Sequence, residues 1–406
     1  MNKFLRTKRG KIILPLITIA AAGACALGLV GCGTSALTEQ DIIDDGYSVK
    51  VVFDYNGGKT EKDEVTTTLR LQPNSYVPQP KADEEGLKPP IRAGYTFKEF
   101  RVAETDEDGN PIKNEDGSLK LGELWDFSTR VSEDVTLGAV WWENFKVVLH
   151  YGEEKDGVQN PLTKQIDVPR TATGGPTNVS QAAWRVSGYT FLSYYTDRSD
   201  KEGSKVVLDK PLDFSDEKPV IDVYSDSLNG VFQVVGSASD IVSFPFSATT
   251  NIYLTNHIDM NDLKTSGSKR TLTFPATYSG RFCGNGYTIS NLEITYEKPT
   301  SGTDGNFGMF KRIDSGAEIT DVKFVNVKVT ANLSNRLVSE YNLGLFAGLV
   351  RGGATIRNVD IDGELVYTVL DSYDLEKVHV DKFIGTTNSG ATIENCVSES
   401  VTVTKQ

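Results

Sequence analysis

A short apolar motif that returns at a fixed interval constrains the fold of this chain more than any other feature. Three copies begin 37 residues apart, namely Ile319-Thr320-Asp321-Val322, Ile356-Arg357-Asn358-Val359 and Ile393-Glu394-Asn395-Cys396. A related motif, Ile289-Ser290-Asn291-Leu292, begins 30 residues before the first of them. In a stacked repeat, each turn must place its aliphatic side chains on those of the turn below, and a fixed period supplies this. We therefore predict a short parallel β-solenoid over residues 230–406.

The third position of each motif holds an amide or an acid, namely Asn291, Asp321, Asn358 and Asn395. In a stack of equivalent turns, such side chains can hydrogen-bond along the stack and satisfy backbone groups of the turns. The four residues are therefore predicted to form a structural ladder. Gly308-Met309-Phe310 and similar segments precede the motifs, and the region resembles the GLUG-type β-helix repeats of bacterial surface proteins.

The N-terminus carries a basic segment followed by an apolar run from Ile12 to Val30. That order is typical of an export signal. The run ends in Leu29-Val30-Gly31-Cys32 and resembles a bacterial lipoprotein signal peptide, which implies cleavage between Gly31 and Cys32 and acylation of the Cys32 thiol. The alternative is a plain transmembrane helix, because about 20 apolar residues span a bilayer. We predict a signal peptide over residues 1–31.

Residues 32–46 are small, polar and acidic, as in a spacer, and β structure is expected to begin at Tyr47. The segment 47–142 contains Phe53-Asp54-Tyr55-Asn56-Gly57-Gly58, Arg92-Ala93-Gly94-Tyr95-Thr96-Phe97, Trp125-Asp126-Phe127 and Thr136-Leu137-Gly138-Ala139-Val140-Trp141. In that order these motifs resemble the internalin-type B-repeat, also called the Listeria-Bacteroides repeat. The resemblance implies a small β-grasp-like module of bacterial surface proteins. Phe100 departs from the family, which usually has Trp there.

A second, weaker copy is predicted over residues 143–229. Tyr151 follows Tyr55 by 96 residues, and Gly188 follows Gly94 by 94, so the internal spacing is nearly the same. Duplication of a self-contained module is the simplest explanation. The fold class is therefore all-β, with two tandem β-grasp-like B-repeat modules followed by the solenoid.

Charge and cysteine content limit the partners. The formal net charge is −13, so nucleic acid is not expected as a partner, because phosphate binding needs a basic footprint. Attachment to a membrane is expected through lipid on Cys32 rather than through bare anionic lipid. Cys283 and Cys396 would lie three turns apart, roughly 14 Å at about 4.8 Å a turn, and a disulfide spans at most about 7 Å between Cα atoms. Both are predicted to be free thiols.

Motifs for chemistry are not found in the sequence. His150, His257 and His379 are far apart and lie outside any zinc-binding pattern, and no nucleophile or phosphate-loop motif occurs. The acidic run Asp106-Glu107-Asp108-Gly109 is predicted to be an exposed hairpin rather than a calcium loop. No catalytic residue, metal or cofactor is therefore assigned.

The surface aromatics Trp141, Trp142, Tyr194 and Tyr195 could stack on sugars, but they are predicted to pack inside. The most consistent function is binding or adhesion by a lipid-anchored bacterial cell-surface protein, with a host, envelope or glycan ligand. Two alternatives stay open: a carbohydrate-binding or polysaccharide-cleaving β-helix, and a structural envelope protein.

Overall fold

The computed structural model describes residues 18–19, 46–82, 86–154, 157–208, 210–243, 247–263, 277–296, 305–333, 340–369 and 375–406. Nearly all regular structure in them is β-strand, as the sequence predicts. The chain divides into two compact units. Unit 1 comprises Met1–Arg185 and Ser193–Asp226, and unit 2 comprises Val186–Leu192 and Ser227–Gln406. Within the described part of the chain, no helix is both long enough and apolar enough to cross a bilayer.

The first sheet of unit 1 has the order β1-β3-β2-β8-β5-β6, and β4 pairs with β7 separately. The strands are β1 (Thr18–Ile19), β2 (Val49–Asp54), β3 (Thr66–Leu71), β4 (Ser75–Tyr76), β5 (Tyr95–Ala103), β6 (Leu121–Leu124), β7 (Arg130–Val131) and β8 (Val135–Glu143). β2 runs parallel to β8 and antiparallel to β3. The sheet therefore joins the two ends of the segment 47–142.

Alternation of side chains along β2 builds the core of this sheet. Val49, Val51 and Phe53 are buried on one face, because successive side chains of a strand point to opposite sides. Phe100 is also buried and meets the Phe53 ring edge-on at 5.0 Å. The two rings thus join β2 and β5 in one core.

The predicted turn at Asn56-Gly57-Gly58 is fixed by the Asn56 side chain. Its Nδ2 donates to the Ala139 carbonyl at 3.1 Å, and its Oδ1 accepts from the Leu119 N–H at 3.0 Å. Asn56 and Gly57 have φ of 46° and 87°, the left-handed region that Asn and Gly tolerate best. One amide therefore ties the turn to two distant segments.

The predicted hairpin excursion after β5 is exposed and contains two tight turns. Gly109 donates to the Asp106 carbonyl, and Gly117 donates to the Asn114 carbonyl. Both glycines have positive φ. The Asp106 carboxylate accepts the backbone N–H groups of Asp108 and Asn110, so it caps its own turn.

The second sheet has the order β10-β9-β12-β11. Its strands are β9 (Phe145–Tyr151), β10 (Leu162–Val168), β11 (Tyr189–Tyr195) and β12 (Val220–Asn229). β9 runs antiparallel to β10 and parallel to β12. The order repeats β3-β2-β8-β5 of the first sheet, with the same parallel pair at its centre, so the two predicted copies share one strand topology.

Unit 2 includes the first part of β11 and the end of β12. All strands after β12 also belong to unit 2, and they pair in parallel. They are β13 (Phe232–Val235), β14 (Asn251–Leu254), β15 (Ile258–Asp259), β16 (Thr277–Tyr278), β17 (Arg281–Cys283), β18 (Thr288–Ser290), β19 (Glu293–Tyr296), β20 (Asn306–Phe307), β21 (Phe310–Ile313), β22 (Glu318–Leu333), β23 (Tyr341–Gly344), β24 (Ala347–Val350), β25 (Thr355–Val369), β26 (Val378–Asp381), β27 (Ile384–Thr387), β28 (Thr392–Glu394) and β29 (Val401–Lys405). A short helix α1 (Ala238–Ser243) and 3-10 turns at Met260–Leu263 and Leu375–Lys377 complete the unit.

Three parallel sheets surround the core of unit 2. One contains β22 and β25 with their neighbours, the second has the order β16-β21-β24-β27, and the third β20-β23-β26. Ile319 is in register with Ile356, and Ile356 with Ile393, so strands 37 residues apart lie side by side. Ile319 and Ile356 are fully buried in one continuous apolar cluster.

Close backbone contacts explain the glycines that precede the buried Phe residues. A Cβ on Gly344 would lie 2.5 Å from the carbonyl oxygens of Ala347 and Phe383, and one on Gly308 would lie 2.5 Å from the Gly344 carbonyl. Phe346 stacks on Phe383 in the next repeat, with ring centroids 5.0 Å apart. Glycine lets adjacent strands approach closely enough for the rings to stack.

We expect Gly344→Ala to destabilise unit 2 by about 3 kcal/mol, because the new methyl group meets rigid backbone on both sides. The measurement is the free energy of unfolding by denaturant titration. Gly122→Ala is the matched control, since a Cβ at Gly122 finds its nearest neighbour at 3.6 Å. That substitution should change stability by less than about 1 kcal/mol, and equal effects of the two substitutions would contradict the close approach at Gly344.

Candidate binding surface

The predicted lipid-attachment residue Cys32 and the adjoining Gly31 lie outside the described residues. Lipidation and cleavage at this point stay predictions. The candidate surface lies in unit 2.

Three of the four predicted ladder residues form a continuous hydrogen-bonded row. Asn358 Nδ2 donates to Asp321 Oδ1 at 2.7 Å, and Asn395 Nδ2 donates to Asn358 Oδ1 at 3.2 Å. Their φ values are 54°, 53° and 52° for Asp321, Asn358 and Asn395. Asn and Asp adopt this left-handed conformation more readily than other residues with a Cβ. Each residue thus bends its strand at an equivalent point and links it to the next.

The placement of Asn291 in this row is wrong. Ile289 is in register with Phe324, whereas the strand partner of Ile319 is Phe282. Phe282 precedes Ile319 by 37 residues, so the fixed interval was present in the sequence with Phe in place of Ile. The step from Ile289 to Ile319 is 30 residues and does not match the 37-residue repeat. Asn291 therefore lies at the bend that follows the one equivalent to Asp321.

Asn291 instead belongs to a second ladder that the sequence analysis missed. Its Nδ2 donates to Asp259 Oδ1 at 2.7 Å, and its Oδ1 accepts from Asn326 Nδ2 at 2.7 Å. The Asn326 N–H donates in turn to Asp362 Oδ1 at 2.6 Å. Asn291 and Asn326 also have positive φ. A search for further Asn and Asp residues at spacings of 32 to 36 residues would have found this row.

Opposite charges face each other across adjacent strands of the same sheet. Four pairs join one repeat to the next: Arg281–Glu318 at 3.2 Å, Lys323–Asp360 at 2.8 Å, Lys328–Glu364 at 3.1 Å and Arg357–Glu394 at 2.8 Å. The hydrogen bond that the Lys323 ammonium donates to the Asp360 carboxylate raises the pKa of Lys323. Exposed pairs of this kind each stabilise a fold by at most about 1 kcal/mol. Their regular spacing nevertheless gives this surface a defined charge pattern.

We call this surface the ladder face. It is the outward side of β22, β25 and the strands beside them, and it carries both the four ion pairs and the two amide ladders. Inward side chains of β22, such as Phe324 and Val329, are completely buried. The outward groups are therefore held on a rigid, well-packed layer.

Two of the four cysteines, Cys283 and Cys396, lie in the described residues, and both are half-buried free thiols. Equivalent register positions on four successive strands hold Cys283, Thr320, Arg357 and Glu394. This places Cys283 three strands away from the last repeat, where Cys396 lies. Burial raises the pKa of both thiols, so both are less reactive than exposed cysteines at neutral pH.

The surface aromatics singled out as sugar-stacking candidates are packed, as predicted. Tyr194 and Tyr195 are 9% and 4% exposed. Trp141 donates its Nε1 hydrogen to the Tyr55 carbonyl at 3.0 Å. The Trp142 ring has the Lys98 ammonium 5.0 Å from its centroid. The two tyrosines are therefore buried, and the two tryptophans are half-buried.

The three histidines lie in separate places. His150 Nε2 is 2.7 Å from Asp222 Oδ1, and His257 Nδ1 accepts the Thr288 N–H at 3.2 Å. His379 lies on β26, in register with Asn342. In the described ranges, no three His, Cys, Asp or Glu side chains are grouped so that they could hold a metal ion.

No protein family, curated protein or solved structure matches this chain in the comparisons made. The functional argument therefore depends on the residues and the geometry described above.

Substitutions at Asn358 separate the two roles of a ladder residue. Asn358→Gly keeps the left-handed conformation but removes two side-chain hydrogen bonds, so it should cost about 1 kcal/mol of unfolding free energy. Asn358→Ala removes the same bonds and also strains the backbone, and it should cost about 1 to 2 kcal/mol more. Denaturant titration of both variants measures the difference. Equal stabilities would show that the backbone conformation at this position imposes no constraint.

Proposed function

We propose that this protein is a lipid-anchored bacterial cell-surface protein that acts in binding or adhesion to a host, envelope or glycan ligand. The order of a basic segment, an apolar run and Cys32 supports the anchor, because it is typical of exported lipoproteins. The small polar residues that follow Cys32 would act as a spacer between the membrane and the folded units.

We also propose the finer architecture. Residues 47–142 and 143–229 would be two tandem β-grasp-like B-repeat modules, and the shared order of their central strands supports this duplication. Residues 230–406 would form a short parallel β-solenoid. The register of Ile319 with Ile356 and of Ile356 with Ile393 supports this reading, because each step advances the chain by one 37-residue repeat.

The observation that carries the binding proposal is the ladder face. β22 and β25 stay in parallel register from Glu318–Thr355 to Leu333–Val369, with one irregularity. Such a pair offers a long surface, bent at the ladder residues, with a fixed pattern of charges and amides. Repeat proteins commonly use extended surfaces of this kind for binding.

The charge pairing favours binding over cleavage of a polysaccharide. Glycoside hydrolysis requires two carboxylates directed at the scissile bond. On the ladder face, Glu318, Asp360, Glu364 and Glu394 are instead each engaged by a Lys or Arg of the neighbouring strand. Their carboxylate oxygens help to hold neighbouring strands in register. The paired charges form the surface pattern that a ligand would contact.

Cys32→Ala tests the anchor. The substitution removes the thiol that would be acylated, so the protein should move from the membrane fraction to the medium or accumulate as an unprocessed precursor. Cell fractionation and labelling with radioactive palmitate measure this. Normal processing and palmitate labelling of the variant would refute the lipoprotein proposal. Cys283→Ala is the matched control and should leave both unchanged.

A charge-swap variant tests the ladder face. Lys323→Glu with Asp360→Lys, combined with Arg357→Glu and Glu394→Arg, keeps the net charge and both ion pairs but inverts the surface pattern. We expect binding to an array of glycans and host extracellular proteins to fall by about tenfold or more, because like charges would now meet the ligand. The readout is binding of the full chain to each array position that the parent recognises.

The matched control inverts an ion pair of unit 1, with Lys120→Glu and Glu104→Lys, whose charges are 2.6 Å apart. This control should bind like the parent. If the ladder-face variant folds normally and keeps the parent's binding, the contact surface lies elsewhere.

A further inference from the structure

A cavity of about 420 Å³ lies in unit 1, between the segment that follows β11 and the segment that leads into β12. Its volume is in the range of sites for small molecules. The lining includes Thr196, Lys205, Lys210, Leu212, Asp213 and Lys218. This cavity belongs to unit 1, whereas the ladder face belongs to unit 2.

Backbone hydrogen bonds hold the walls of this cavity. The Val206 N–H donates to the Tyr194 carbonyl at 2.8 Å, which ties one wall to β11. On the opposite side, Lys218 and Ser215 exchange backbone hydrogen bonds in both directions, at 3.0 and 3.3 Å. Ile221 contributes a buried apolar side chain to the lining. The lysines that line the cavity therefore project from a fixed framework.

The charges of the lining are unbalanced. Lys205, Lys210 and Lys218 contribute three ammonium groups, against one carboxylate from Asp213. Among the described residues, none of the three ammonium groups makes a hydrogen bond or an ion pair. This differs from other lysines of unit 1, such as Lys201, whose Nζ is 2.6 Å from Asp226 Oδ1, and Lys146, whose Nζ is 2.9 Å from Glu143 Oε1.

Three cations that have no partner among the described residues lie around one cavity, where they repel each other, and an anion between them would relieve the repulsion. The excess is notable in a chain with a net charge of −13, where most anions would be repelled. Lys is a point charge that suits phosphate and carboxylate groups alike. The apolar side chains of Val206 and Leu212 could contact the carbon skeleton of a ligand beside its charged groups.

We propose that this cavity binds a small, multiply charged anion, with Lys205, Lys210 and Lys218 as the residues that recognise its phosphate or carboxylate groups. The Thr196 hydroxyl, which also lines the cavity, can donate a hydrogen bond to the same group. Such a group occurs on free metabolites and on the acidic polymers of cell surfaces, and both would present the same charges to the lysines.

Calorimetric titration of the full chain, held in nonionic detergent, with pyrophosphate and with citrate tests the proposal. We expect saturable binding of one anion per chain for at least one probe, weakening as salt is added. The triple substitution Lys205→Gln, Lys210→Gln and Lys218→Gln should weaken it by about tenfold or more. Pyrophosphate binding alone would indicate a phosphate site, and citrate binding alone a carboxylate site.

The matched control replaces Lys50, Lys62 and Lys113 by Gln, which changes the net charge equally at exposed positions that do not line the cavity. This control should stay within about twofold of the parent. No saturable binding of either probe, or an equal loss in the control, would overturn the site. If the triple variant melts at a lower temperature than the parent, the three single Lys→Gln variants are titrated instead. Parental anion affinity in all three single variants would also overturn the site. Neither result depends on the ladder face or on the lipid anchor.

Discussion

Parallel register between strands 37 residues apart is the constraint on which unit 2 depends. When Ile319, Ile356 and Ile393 occupy equivalent places, each repeat buries its inward side chains against those of the one before. A shift of one residue would turn the apolar side chains outward, because the side-chain period of a strand is two. The glycines at 308 and 344 follow from the same constraint, since the backbones approach too closely there for a Cβ.

Polar side chains define the register that apolar burial alone leaves ambiguous. Many inward positions hold Ile, Val, Leu or Phe, so several alignments could bury a similar apolar area. The ladder Asp321–Asn358–Asn395 and ion pairs such as Lys323–Asp360 are satisfied only in one alignment. Each contact is weak by itself, but each misalignment would lose several at once. The same groups then form the outer pattern of the ladder face.

Unit 1 depends on a different constraint. Its two sheets are short, and loop residues must close each of them. Asn56 in the first sheet fixes a turn by bonding to segments more than 60 residues away along the chain. In the second sheet, Arg170 donates to the Glu143 and Gly174 carbonyls, pairs with Asp216 and lies over the Phe145 ring. Arg170 also receives support from the first sheet, since its N–H donates to Thr96 Oγ1 at 2.9 Å. The two predicted modules are therefore linked by a hydrogen bond at this point.

The sequence by itself determined the β character of the chain and the row that joins Asp321, Asn358 and Asn395, because a strict period places equivalent residues side by side. It did not determine the place of Asn291: β17 and β18 are separated by four residues where the corresponding part of β22 has two, so motif spacing misleads in that repeat. The lysine-lined cavity, in contrast, is formed by the tertiary structure and has no signal in the sequence. Lys205, Lys210 and Lys218 share no sequence pattern, and they come together because the turn after β11 folds back beside the segment that precedes β12.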